Sequence, residues 1–339
     1  MKVPIISTIK RKISDLAAWL DPTEGGELVC VKNSNLLLKL LAAMQAQLGW
    51  RRGFLDVQKN MPRLIEMGDA LASSIFTASS AAPLPNKNNT IAIIAAYINS
   101  DLKLRGIVHN IKKIKPHCGK IIVVDLAENL TEPTVAKIMA AYDNIKVMSK
   151  NSSDLLDMEA WRVGLTDEWA LNAEHCLLLT DSIIIIKDMQ PLFAMVATDQ
   201  GQHDRYGVLE VCEKLPAVQT NATLLNTRAK DFFVRYVAQT APIAVALLNK
   251  KRDASKGYYE FYRKSIGVFV YERGLSQHIK TRALFSFRQD KRLEGINLYF
   301  HDAALFREYL DKGYPLFAWK QLKRRAFRRL LEGYVPGNE

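Results

Sequence analysis

Apolar residues recur at intervals of three and four along the first eighty positions. ISTIKRKISDLAAWL, NSNLLLKLLAAMQAQLGW and DVQKNMPRLIEMGDALASSIF all carry this spacing, which predicts helices that each bury one side. Residues 1–80 therefore read as a helical N-terminal extension or subdomain. SSAAPLPNKNN, with two prolines and a cluster of asparagines, breaks the periodicity and places a linker over 81–89. Beyond it the pattern changes in kind. TIAIIAAYI is a continuous apolar, β-branched run of strand length, and the charged periodic segment LKLRGIVHNIKKIK after it predicts a helix. KIIVVD, TVAKIMAAYD and NIKVMS repeat the alternation, and CLLLT adds a fourth strand. Strand–helix alternation predicts a mostly parallel sheet with helices on both faces.

In open sheets of this kind ligands bind beyond the carboxyl ends of the strands. Those ends are polar here: Asn99-Ser100-Asp101 after the first strand, Asp125 after the second, Ser149 to Asp154 after the third and Thr180-Asp181-Ser182 after the fourth. Taken singly, each suits a helix cap or a turn. Four such ends on one rim point to a ligand. The chain has no Gly-x-Gly-x-x-Gly and no phosphate-binding Walker loop, so a nucleotide would have to be held another way.

The 339 residues are 48% hydrophobic and 24% charged, which suits a soluble globular chain. The net charge of +12 concentrates at residues 2–13, 103–120 and 320–329. In AWKQLKRRAFRRLLEGY, a helix would gather Trp319, Leu322, Ala326, Phe327 and Leu330 on one side and spread the basic residues over the rest. This is the pattern of a basic amphipathic C-terminal helix over 316–339 whose residues 316–332 lie on an anionic membrane surface, each basic residue contributing about 1 kcal/mol there. Docking against the domain with a solvated basic face is the other reading. Nucleic acid is not expected, because no aromatic-rich basic groove or recognition motif accompanies the charge. No uninterrupted apolar run reaches the roughly 18 residues that span a bilayer, so the expected location is the cytoplasm, peripheral to the inner membrane face. Cys30, Cys118, Cys176 and Cys212 are widely spaced and read as buried free thiols. His109 and His117, in a Lys-rich helical stretch, read as exposed and not as ligands.

NSSDLLDMEAWRVGL (151–165) resembles the Asn, then Asp-x-x-x-Trp-(Lys/Arg)-x-Gly-Leu pattern of the rhamnan-synthesis glycosyltransferases, a bacterial polysaccharide family with a GT-A-like fold. LLLTDSIIIIKDMQPLFAMV is similar to that family's Asn-Asp-Ser strand end, proline turn and short helix. RYGVLEV, AVQTNATLLNT, VYERGLSQHIKTR and FREYLDKGYPLFAWKQL resemble its later segments in order, so the likeness runs from about residue 90 to about 322. Three departures stand out: Thr180 replaces Asn, Ala217 stands where His is usual, and the Asp-x-Asp metal grip of GT-A enzymes is missing.

The resemblance implies a GT-A-like, Rossmann-like domain over 90–315 that transfers a hexosyl or deoxyhexosyl group from a nucleotide sugar to a lipid-linked or polymeric glycan acceptor of the O-antigen, capsule or rhamnan type, alongside other polysaccharide-assembly enzymes. Donor-binding candidates are Asp101, Asp125, Asn151, Asp154, Thr180, Ser182 and Gln219, diphosphate candidates are Lys150, Arg162 and Arg205, and Asp181 stands with Glu272 as a catalytic candidate. Asp157 and Trp161 read as structural. Glu272, in the Tyr-Glu-x-Gly-Leu-Ser match, is the candidate catalytic base, with a macrodipole role in a first helical turn as the alternative. Asp181 is a candidate ligand for Mg²⁺ or Mn²⁺ with Asp188 or His301 as partner, and metal-free use stands equally open. Two non-catalytic readings also remain: a glycan-binding or assembly member of the fold, and a membrane-surface adaptor using its basic helices.

Overall fold

The computed structural model describes residues 31–77, 83–127, 130–150, 155–212, 216–293, 300, 302–318, 321 and 325–331. The helix expected over ISTIKRKISDLAAWL, and the candidates Asn151, Asp154 and His301, lie outside the described residues.

Residues Val31–Ile75 form one 45-residue helix, α1, where the spacing predicts two. The alternating region follows as β1 (Thr90–Ala96), α2 (Asp101–Ile114), β2 (Lys120–Asp125), α3 (Glu132–Met139), β3 (Ile145–Ser149), α4 (Asp157–Leu165), α5 (Glu168–Leu171) and β4 (His175–Thr180). Then come β5 (Ile183–Ile185), α6 (Gln190–Thr198), β6 (Arg205–Cys212), β7 (Pro216–Val218), β8 (Ala222–Asn226), α7 (Thr227–Asn249) and α8 (Lys256–Ile266). A π-helical segment, Gly267–Glu272, joins α8 to α9 (Arg273–His278). β9 (Thr281–Ser286), α10 (Ala303–Asp311), β10 (Leu316–Ala318) and α11 (Arg325–Leu330) complete the described elements.

The large sheet runs β3-β2-β1-β4-β8-β6-β7, with β9 beside β6. Pairing is parallel for β1–β2, β1–β4, β2–β3 and β6–β9, and antiparallel where β8 meets β4 and β6 and where β7 meets β6. This mixed, mostly parallel sheet with helices packed on both faces is the α/β architecture expected. Strand alternation divides the core in two. Ala92, Ile94, Val123 and Leu177 face α2, α6 and α10. Ile91, Ile93, Ile122 and Leu178 face α4, α7, α8 and α1. On α1, Val57, Leu64 and Leu71 recur every seven residues and are buried in that second core. Gly49 and Gly53 let α1 press on α8, since a Cβ on Gly49 would collide with the Tyr258 carbonyl and one on Gly53 would sit 2.8 Å from Ser265 Cβ. α7 is long and apolar enough to cross a membrane, yet Phe232, Phe233, Tyr236 and Val237 pack it into the core.

The C-terminal expectation needs correction. Leu316–Ala318 are not helical; they form β10, fully buried and antiparallel to β5. Phe327 of α11 is also buried, with ring centroids 5.7 Å from Phe306 and 6.1 Å from Phe317. The apolar side of α11 therefore docks on the domain, while Arg325, Arg328 and Arg329 are exposed. Trp319, Lys320, Leu322, Lys323 and Arg324 lie outside the described residues.

The histidines also differ from expectation. His109 is half-buried with Nε2 2.8 Å from the Ile185 carbonyl, and burial lowers its pKa. His117 stacks on Phe193 at 4.8 Å and reaches Asp188 at 2.9 Å. Cys118 and Cys176 are buried free thiols, burial pushing Cys176 up to about 12.

Candidate functional site

Strand register gathers the polar ends. Ala96 of β1 lies opposite Asp125 of β2, and Ala95 lies opposite Thr180 of β4. Where the chain leaves β1, its next two N–H groups need acceptors. Tyr97 N donates to Asp181 Oδ2 at 2.8 Å and Ile98 N donates to Asp125 Oδ1 at 2.9 Å. Two acids from neighbouring strands thus fix the loop after β1. Tyr97 keeps 51% of its surface exposed on this rim, where its ring is open to a partner.

Lys103, in the first turn of α2, completes the Asp181 contacts. Its Nζ is 2.9 Å from Oδ1 and donates to the Asp181 carbonyl at 3.0 Å. Beside Asp181, Thr180 Oγ1 donates to Asp157 Oδ2 at 3.1 Å and lies 3.3 Å from Ser182 Oγ. Burial and then the Asp181 charge push Asp157 up to about 7, against the pull of Thr180 and Lys103. Asp157, expected to be structural, thus accepts the Thr180 hydroxyl beside Asp181. Trp161 is structural as expected: it is buried and donates Nε1–H to the Leu179 carbonyl at 2.9 Å.

The antiparallel partner β8 brings the next residues. Thr180 N bonds the Asn221 carbonyl at 3.2 Å, which sets the turn before β8 beside the end of β4. Thr220 Oγ1 in that turn donates to Glu272 Oε1 at 2.7 Å. Glu272 is not in a first helical turn; it ends the π-helical segment within helical backbone that continues into α9. The macrodipole explanation for it therefore fails. π-Segments are frequent at functional sites because they re-aim side chains within a helix. Burial raises the Glu272 pKa, opposed first by the Thr220 hydroxyl, and its charge also reaches Asp157. Asp157, Asp181, Lys103 and Glu272 thus share one electrostatic neighbourhood.

Other candidates separate from this group. Asp101 lines a cleft of about 370 Å³ with Ile98, Asn99, Ser100, Leu104, Thr134 and Lys137, and it pairs with Arg105 and Lys137. Gln219 is buried, and its backbone N–H donates to Leu209. Arg205 is wholly buried and gives its guanidinium to Thr223 Oγ1, Ser276 Oγ and the Val218 carbonyl, so it is a strut and has no free face for diphosphate. Arg162 and Lys150 both meet Glu159, at 2.6 and 3.5 Å, and Arg162's hydrogen bonds hold that carboxyl below its usual range.

The donor set does not suit a divalent cation. Mg²⁺ and Mn²⁺ take hard oxygen ligands with lone pairs to spare. Both Asp181 oxygens are engaged, one of them by an ammonium that would repel a metal. Asp188 accepts the Gln190 N–H at 2.8 Å and pairs with His117, and no contact between it and Asp181 appears among the described residues. Among the described residues no group of three or more His, Cys, Asp or Glu is arranged to hold a metal ion.

Lys103 and Tyr97 escaped sequence reasoning. Lys103 meets its partner across 78 residues, and the first-turn position gives no sign of it. Tyr97 was absorbed into the strand run, which ends at Ala96.

No family model matches the chain, and no curated protein matches it. Among solved structures it is similar to the glycosyltransferase GlyE of Streptococcus pneumoniae TIGR4, at 11% identity and a TM-score of 0.43 over 75% of this chain and 61% of that one. It is also similar to the galactosyltransferase LgtC in complex with donor and acceptor sugar analogs, at 11% identity and a TM-score of 0.41 over 74% of this chain and 98% of that one. A cytidylyltransferase of Leptospira borgpetersenii serovar Hardjo-bovis, at 13% identity and a TM-score of 0.33, covers 74% of this chain and 98% of its own. These likenesses carry no reading of substrate or mechanism for this chain.

Proposed function

We propose that the chain is a glycosyltransferase that moves a sugar from a nucleotide donor to a glycan acceptor. The observation that carries the reading is the convergence of Lys103, Asp181, Asp157 and Glu272 at one carboxyl rim of the sheet. Support also comes from the ordered resemblance of residues 90–322 to a polysaccharide glycosyltransferase family.

The chemistry assigns each group a part. The exposed Tyr97 ring offers a face for the nucleobase, and the cleft beside Asp101 offers polar groups for ribose hydroxyls. Positive charge beside the leaving diphosphate stabilises its departure, and Lys103 supplies it. Glu272 takes the proton of the acceptor hydroxyl as it attacks the anomeric carbon, and burial makes it a stronger base than an ordinary carboxylate. Asp157, titrating at about 7, is the second group whose proton the reaction would sense. The acceptor we favour is a lipid-linked or polymeric cell-surface glycan, with Arg325, Arg328 and Arg329 meeting anionic lipid at the cytoplasmic face.

A thermal-shift screen of the full chain against nucleotides and nucleotide sugars tests the reading, because a ligand that binds only the folded state raises apparent stability. A shift with one nucleotide series, joined to release of its diphosphate, supports a transferase. Glycan binding without turnover of any donor would favour the non-catalytic member of the fold.

A further inference from the structure

Lys103 sits at the third position of α2, after the cap formed by Ser100. A positive side chain there is opposed by the helix's own N-terminal charge, so the placement needs an offsetting partner. Asp181 provides it, taking Nζ at 2.9 Å through Oδ1 and at 3.0 Å through its carbonyl. An ammonium carries three N–H groups, and Asp181 accepts from two of them. The Lys103 side chain remains 27% exposed on the rim. The third N–H and the positive end of a 14-residue helix therefore lie together at the end of β4.

We propose that Lys103, held on Asp181, is the cation that receives the diphosphate of a nucleoside-diphosphate ligand, so that binding needs no divalent metal. The proposal rests on the donor-binding reading above and follows from the mismatch between the Asp181 donor set and a metal ion. In this arrangement Asp181 positions the ammonium and does not itself touch the ligand. Burial draws the neighbouring Asp157 carboxyl toward its neutral form, which lessens its repulsion of phosphate. Lys103 acts as a point charge, and the selectivity for a base comes from elsewhere on the rim.

Calorimetric titration of UDP, GDP, CDP and dTDP into the full chain, in EDTA and again in Mn²⁺, tests this, with Lys103→Met and Lys103→Arg alongside the wild type. One nucleotide should bind the wild type equally well in both buffers, and Lys103→Met should melt cooperatively yet lose about tenfold or more in affinity. Lys103→Arg should retain part of the affinity, which a packing role alone would not produce. Binding that appears only with Mn²⁺ overturns this proposal and leaves the donor reading standing. Wild-type affinity in Lys103→Met overturns it too. Absence of binding by every nucleotide in both buffers sinks the donor reading and this proposal together. Should Lys103→Met fail to fold, the comparison of EDTA with Mn²⁺ on the wild type decides.

Discussion

Lys103 Nζ lies 2.9 Å from Asp181 Oδ1, and the same carboxylate accepts the Tyr97 N–H at 2.8 Å. One acid thus ties the start of α2 and the loop after β1 to the end of β4. Asp181→Ala removes both contacts and is expected to cost about 1–3 kcal/mol, discounted because Lys103 is partly solvated. Asp181→Asn keeps an acceptor for Tyr97 and should recover part of that loss. Urea unfolding of both variants measures the difference, and equal losses would mean that the Tyr97 bond contributes nothing.

The parallel half of the sheet was legible because TIAIIAAYI, KIIVVD and CLLLT are buried on both faces and so read as unbroken apolar runs. Asp125, Thr180 and Asp181 could be placed on one rim because strand ends are fixed by where those runs stop. The site's completion was not legible, since it depends on pairing across distance. Lys103 meets Asp181 from another element, and Thr220 reaches Glu272 only because β8 lies antiparallel to β4. Arg205 looked available as a cation, but burial turns its guanidinium to Thr223, Ser276 and Val218. The buried β10 was hidden because its three residues fall within a longer stretch with an amphipathic helical pattern.

Asp157 makes stability depend on pH. Its folded pKa of about 7 lies above its ordinary 3.8, so between those values the folded chain holds a proton that the unfolded chain has released. The contribution of this group is therefore present in full below about pH 4 and is lost as pH rises through 7. Asp157→Asn should be more stable than the wild type at pH 8 and lose that advantage at pH 5. Melting curves at the two values check this, and an identical offset at both would contradict the shift.

Arg205→Lys removes a planar fork that serves three acceptors. The expected loss is about 2–4 kcal/mol of stability, with nucleotide affinity unchanged. Denaturation together with calorimetry separates the two effects. Weakened nucleotide binding in a protein of undiminished stability would return Arg205 to the diphosphate site.

The two sides of α11 should separate in the same way. Phe327→Ala should cost about 3 kcal/mol, because it empties a buried aromatic cluster. Charge reversal at Arg325, Arg328 and Arg329 should leave melting nearly unchanged and reduce sedimentation with phosphatidylglycerol vesicles. Undiminished vesicle binding by the charge-reversed protein would remove α11 from the membrane proposal.

In this proposal the rim turns over a nucleotide sugar with Glu272 as base. Release of the nucleoside diphosphate from the nucleotide sugar whose nucleotide binds, compared between the wild type and Glu272→Gln at matched donor occupancy, tests this. Release by the wild type is expected, with a fall of about a hundredfold or more in Glu272→Gln and donor affinity kept. Equal release by the two proteins, or none from the wild type with any donor and acceptor, would contradict it.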